Sequence, residues 1–179
     1  MRLTAPCQGL DFRTSDIHGR PFQLSDHVGK RVMLSFFRNA QCPFCNLRIF
    51  ELTHQYRRWR EAGLEVVTVF SSEASEVRRW VARHPRPFRI LSDPGLELYD
   101  LYGIEHSGQA LLKALLFRFP RVARGLALGA GLPRRNPHPT IVPADFLLDE
   151  KGTVRDIWYG RNTSDHIPLE RIDAFIRAA

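Results

Sequence analysis

Leu34-Ser-Phe-Phe-Arg-Asn-Ala-Gln-Cys42-Pro-Phe-Cys45-Asn-Leu-Arg48 is the stretch whose reading decides the fold. An apolar run from Val32 to Phe37 has the character of a strand buried on both faces. After four intervening residues come two cysteines separated by Pro43 and Phe44. From Pro43 the apolar positions Phe44, Leu47, Phe50, Leu52, Tyr56 and Trp59 recur near helical spacing, and Arg57, Arg58, Arg60, Glu51 and Glu61 form the wet face. A strand, a turn and a helix in that order put Cys42 at a helix N-terminus and Cys45 one turn in. Unpaired N–H groups and the helix dipole favour negative charge there. Such a thiol ionises more easily, and the thiolate is the reactive species. Proline in the first helical position removes an N–H that has no partner anyway.

Working outward, residues 10–24 form two short alternating runs about Asp16-Ile-His-Gly19, a hairpin signal. Leu64 to Phe70 reads as a second buried strand. Ser71 and Ser72, then Glu73 and Glu76, open a helix that carries Val77, Trp80 and Val81 and stops before Pro85. Phe88 to Leu91 is a third strand. Ser92-Asp93-Pro94-Gly95 opens a helix with Leu96, Leu98, Leu101 and Tyr102. The chain closes with a hairpin, Ala144 to Leu148 and Thr153 to Tyr159 about Asp149-Glu-Lys-Gly152, and with a helix expected from Ser164 or Asp165. Trp59 and Trp80 read as core.

Residues 105–140 break this alternation. Leu111, Leu112, Leu115, Leu116 and Phe119 make an apolar stripe, Pro120 interrupts it, and Arg121, Arg124, Arg134 and Arg135 follow. Pro133, Pro137 and Pro139 impose extended backbone. We read one domain over 1–179 with a helical, Arg-rich insertion at about 105–140. The insertion suits a packed cap first, then a dimer surface or a lid over a hydrophobic substrate, and last a membrane-surface helix.

The net charge of +7 is uneven: +3 over 1–105, +6 over 106–144 and −2 over 145–179. Without a recognisable module or interleaved aromatics, nucleic-acid binding is not expected. No apolar run reaches membrane-span length, so a membrane role is not expected either. The sequence as given starts without an apolar signal segment, and three cysteines are too few for a disulfide scaffold, so the expectation is a cytoplasmic protein. Cys7 reads as a bystander thiol and His138 as a loop histidine.

Cys-x-x-Cys spacing puts two sulfurs on adjacent turns, where a small disulfide ring closes. In that reading the more exposed Cys42 attacks and Cys45 resolves the mixed disulfide, while Pro43 and Phe44 restrict the ring. Half of a zinc site and a pair of inert core thiols are the competing readings. Zinc needs four ligands, and only Cys7, His54, His138 and other scattered histidines are at hand. Arg38, four residues before Cys42, and Arg48, three after Cys45, are each placed to stabilise a thiolate. For Arg48 a solvated helix-face cation is an equal reading.

The order of elements, with Asp16-Ile-His-Gly-Arg-Pro-Phe-Gln-Leu-Ser25, Val67-Thr-Val-Phe-Ser-Ser72, Ser92-Asp-Pro-Gly95 and Pro143-Ala-Asp-Phe-Leu-Leu-Asp149-Glu-Lys-Gly152, resembles the AhpC/TSA (peroxiredoxin) family of the thioredoxin superfamily. The likeness covers nearly the whole chain except 105–140. It implies an α/β thioredoxin-like fold: a central mixed β-sheet flanked by helices, an N-terminal β-hairpin and a helical insertion. Two departures bear on mechanism. The family's Pro-x-x-x-Thr-x-x-Cys falls on Arg38, Cys42 and Cys45, so a cysteine stands in place of the threonine. The family's second arginine falls on Pro143, where thioredoxins keep a cis-proline. The resemblance therefore implies a cis-Pro143 beside the dithiol, with the Val142 backbone pairing with an extended substrate; an ordinary trans proline at a strand start is the competing reading. It implies an oxidoreductase, either a thiol–disulfide exchanger or a thiol-dependent peroxidase. The cysteine pair would be its only cofactor, with no metal. Its partners would be a peroxide or disulfide substrate and a cellular dithiol reductant such as a thioredoxin or glutathione system, with a homodimer possible. Thioredoxins often bury an aspartate beneath the dithiol, and Phe36 stands at that position here. The alternative is a redox-sensing or partner-binding module with little turnover.

Overall fold

A computed structural model describes residues 2–104 and 140–178. The expected insertion at 105–140 lies, apart from Thr140, outside the described residues. Eight strands and four α-helices are described, with a short 3-10 helix at Leu24–His27: β1 (Cys7–Gln8), β2 (Arg13–Ser15), β3 (Pro21–Gln23), β4 (Arg31–Phe36), α1 (Pro43–Glu61), β5 (Leu64–Phe70), α2 (Ala74–Trp80), β6 (Arg89–Ser92), α3 (Glu97–Leu101), β7 (Ala144–Leu148), β8 (Thr153–Tyr159) and α4 (Leu169–Arg177). The main sheet has the order β1-β8-β7-β4-β5-β6. β4, β5 and β6 are parallel, and β7, β8 and β1 join antiparallel on the other side of β4. β2 and β3 form a separate hairpin.

Strand β4 lies at the centre because both of its faces are apolar. Side chains alternate across a strand, and two cores result. Met33 and Phe37 face α1 and join Ile49, Leu52, Trp59 and Ile172 in one core. Val32, Leu34 and Phe36 face the other way, against Tyr99, Tyr102, Phe146 and the hairpin residues Phe12 and Phe22. Trp59 is fully buried, and its Nε1 donates to Asp173 Oδ1 at 2.7 Å, tying α4 to α1. Trp80 packs partly buried against the same core.

β4, α2 and β6 lie one residue off their expected bounds, and three departures are larger. α4 starts at Leu169, not at Ser164 or Asp165. Ile167 precedes Pro168, which disfavours helical backbone at Ile167, and the Ile167 N–H already donates to Asp145 Oδ2 at 2.8 Å. α3 starts at Glu97, beyond Pro94. Asp93 accepts the Glu97 and Leu98 N–H groups at 3.2 and 2.8 Å, and Leu96 takes a left-handed φ of 64°. β1, built on Cys7, was not foreseen; its two residues pair with Thr153 and Val154, a contact no local pattern announces.

Candidate active site

The parallel strands deliver the dithiol. β4 ends at Phe36, but its pairing continues for one residue, since the Phe37 N–H donates to Val69 O at 2.8 Å. The chain then turns over Arg38–Gln41. Ser71, just past β5, holds the Arg38 carbonyl through both its N–H and its hydroxyl, each at 3.0 Å. The Ser72 hydroxyl accepts the Ala40 N–H at 3.0 Å. The buried Asn46 amide donates to Ala40 O at 2.8 Å and Cys42 O at 3.1 Å, bracing the turn from inside the helix. Cys42 is the N-cap of α1 with extended backbone, and Pro43 occupies the first turn.

Both cysteines are free thiols and both are buried: Cys42 is 3% exposed and Cys45 1%. Cys42 is the more exposed of the two only by this small margin, because the turn and Phe44 enclose it in the α1-side core. Their acidities diverge. A hydrogen bond from the Cys45 thiol is the main influence lowering Cys42. Burial opposes it, and the Arg38 charge together with the Phe44 and Cys45 N–H groups adds to it, bringing Cys42 to about 6. Burial pushes Cys45 well above the ordinary thiol range, reinforced by its bond to Cys42 and by the Cys42 charge. The Arg38 guanidinium is buried and reaches Cys42 Sγ at 3.5 Å through Nη1. A thiolate with a cation and helix N–H groups on one side and a protonated thiol on the other is poised for nucleophilic attack.

Arg48 is buried, but it points elsewhere. Its Nη2 donates to Ile167 O at 2.7 Å and its Nη1 reaches Glu51 at 3.4 Å. It is thus neither a solvated cation nor a bonded partner of Cys42. It borders a cluster that sequence reasoning missed. Asp145, fully buried on β7, accepts the Ser35 hydroxyl, the Ile167 N–H and, at 3.2 Å, His166 Nδ1. Burial works to raise the Asp145 carboxyl, but His166, Arg48 and Ser35 hold it below the usual carboxylate range. So a buried carboxylate does lie on the α1 face of the sheet, carried by β7 and not by the Phe36 position of β4. Its sequence signal was present: an aspartate inside the apolar run Pro143-Ala-Asp-Phe-Leu-Leu148. Tyr99 was also missed as a site residue. Its hydroxyl lies 2.6 Å from Phe37 O and 3.1 Å from Val69 O, at the root of the turn.

Pro143 and Val142 are buried. Ala144 pairs with Phe36 in antiparallel register, so Pro143 and Val142 run on beside the end of β4 from which the cysteine turn leaves. The Val142–Pro143 bond is trans, however; Ala5–Pro6 is the cis bond among the described residues. The expected cis-proline is corrected. An X–Pro bond is trans by default, and Pro143 simply leads into β7, with its carbonyl accepting the Gly160 N–H at 2.8 Å. Among the described residues no group of three or more His, Cys, Asp or Glu side chains is arranged to hold a metal. Phe44 leads into an open cleft of about 360 Å³ bounded by Leu47, Arg48, His166, Ile167 and Leu169.

Comparison with known proteins agrees with this architecture. Residues 6–157 match the AhpC/TSA family, and the chain belongs to it. It is 33% identical over 98 residues to the thiol-disulfide oxidoreductase ResA of Halalkalibacterium halodurans, covering 54% of this chain and 55% of that one. It is 28% identical over 93 residues to the chloroplastic peroxiredoxin Q of Sedum lineare, covering 52% and 50%. The chain thus spans about half the length of these curated relatives. The crystal structure of the peroxidoxin BcpB from Mycobacterium tuberculosis superposes with a TM-score of 0.71 at 17% identity, over 97% of this chain and 96% of that one. The fold is thioredoxin-like.

Proposed function

We propose that this chain is a thiol–disulfide oxidoreductase working through a Cys42/Cys45 dithiol–disulfide cycle. The observation that carries the reading is the setting of Cys42: at the N-cap of α1, 3.5 Å from the Arg38 guanidinium, with the Cys45 thiol bonded to it from behind. The Cys42 thiolate attacks one sulfur of a substrate disulfide, forms a mixed disulfide and releases the other sulfur as a thiolate. That step consumes the Cys42 charge. Two of the three influences that keep Cys45 protonated, its bond to the thiolate and the thiolate's charge, then vanish. Cys45 loses its proton and attacks Cys42 Sγ. The internal disulfide closes and the second substrate thiolate leaves. An external dithiol returns the two electrons, which fits a cytoplasmic setting with its thioredoxin and glutathione pools.

Arg38 also favours a second oxidant. A peroxide attacked by Cys42 would leave a sulfenic acid on Cys42 and an alkoxide or hydroxide that Arg38 can stabilise; Cys45 then displaces water to form the same disulfide. The test is steady-state turnover of a disulfide and of a peroxide by wild type, Cys42→Ser and Cys45→Ser, with a dithiol reductant. Loss of both activities in Cys42→Ser, with a trapped mixed disulfide in Cys45→Ser, is the expected result. Wild-type turnover no faster than the mutants' would leave only the sensor or partner-binding alternative. Peroxide reactivity lost in Cys45→Ser but kept in Cys42→Ser would make Cys45 the nucleophile.

A further inference from the structure

The parallel strands have a second end, opposite the dithiol, where β5 and β6 begin at Leu64 and Arg89. A cleft of about 410 Å³ opens there, bounded by Arg20, Lys30, Arg60, Arg86, Arg89 and Glu65. Its floor is apolar: Tyr56 and Phe88 meet edge to face with centroids 5.6 Å apart. Two carboxylates serve this cationic ring, and both are shared. Glu65 accepts Lys30 Nζ and faces His27 Nδ1, each at 2.7 Å. Asp16, just behind the cleft, accepts Arg20 Nε at 2.8 Å and Arg89 Nη1 at 2.6 Å. Arg60 and Arg86 have no carboxylate among the described residues. Arg86 is half-buried and donates its Nε to Val81 O at 2.9 Å. Five Arg or Lys side chains thus converge against two carboxylates, an excess of three positive charges in one concavity.

We infer that this cleft is a binding site for a small diphosphate-bearing molecule. Guanidinium forks match phosphate oxygens in bidentate fashion. One carboxylate ligand would leave most of the excess uncompensated, whereas a diphosphate carries a matching charge. The volume lies in the range of small-ligand sites, and the Tyr56–Phe88 floor offers apolar surface to an organic portion. Burial and the neighbouring Arg83 press on the Arg86 cation, lowering its proton affinity, and a bound anion would offset the repulsion from Arg83. Nothing in the dithiol chemistry uses this cleft.

Titration calorimetry on the whole chain with inorganic pyrophosphate, and separately with ADP, at constant ionic strength tests the site. Saturable binding of pyrophosphate is expected; tighter binding of ADP would show that the organic portion also contributes. Arg60→Gln/Arg86→Gln should weaken binding at least tenfold. Arg13→Gln/Arg57→Gln removes the same charge from exposed positions outside the cleft and should change it less than twofold. Arg60→Glu, at an exposed position, should weaken binding as well and does not rely on the Arg86 variant folding. No pyrophosphate binding, ADP binding without it, or equal weakening in the two double variants overturns the proposal.

Discussion

Cys42 and Cys45 are three residues apart and chemically unlike, because charge on one suppresses charge on the other. The reduced protein should titrate one thiol with a midpoint near 6 by ultraviolet thiolate absorbance. Removing the donor in Cys45→Ala, or the cation in Arg38→Met, should raise that midpoint, by roughly one unit for Arg38. The same shift sets a stability window. Cys42 is more acidic folded than unfolded, so its contribution to the reduced state is fully present above the ordinary thiol pKa and is lost as pH falls through about 6. Reduced wild type should therefore gain stability between pH 6 and the ordinary thiol range, and Cys42→Ser should not. Denaturant unfolding across that interval measures it; a flat wild-type profile would contradict the assignment of Cys42 as the acidic thiol.

At the scale of elements, the site is a turn held between strand ends. Asn46 reaches back from α1 to two carbonyls of the turn, so Asn46→Ala frees both. The expected loss is about 1–2 kcal/mol, accompanied by a slower Cys42 alkylation rate. Gly160 braces the other wall. A Cβ there would lie 2.6 Å from Asp165 O and 2.8 Å from Pro143 O, both backbone atoms that cannot swing aside. Gly160→Ala should cost roughly 1–3 kcal/mol, read as a lower thermal midpoint. Wild-type stability in that variant would mean that the approach of Pro143 to Gly160 is dispensable. Sequence patterning was reliable for three strands: β5, β7 and β8 carry the expected bounds. It failed at α3 and α4, whose starts are set by Asp93 and Asp145, side chains that capture N–H groups a helical reading assigns to the helix.

At the scale of the molecule, Asp145 joins β7, β4 and the loop before α4 through Ser35, His166 and Ile167. Its carboxyl is held below the ordinary range, so the stability it contributes is present above the unfolded carboxylate pKa and is lost as pH falls through the folded value. Asp145→Ala should destabilise the fold by about 3–5 kcal/mol and remove part of its acid lability. Because Asp145 is not bonded to either thiol, the Cys42 midpoint should stay in place. A shifted midpoint in that variant would couple this cluster to the dithiol.

The sequence by itself determined the strand–turn–helix unit, the helix start at Pro43, the candidate dithiol and the family, because each is written in contiguous residues: an apolar run, two cysteines at one-turn spacing, a proline in the first helical turn. Only the tertiary structure decided which partners surround them. Arg48 turned to Ile167, Asp145 buried against Ser35 and Ile167, and the cationic cleft all depend on residues tens of positions apart meeting in the fold. Side-chain direction and burial are fixed by that packing and have no local period to read.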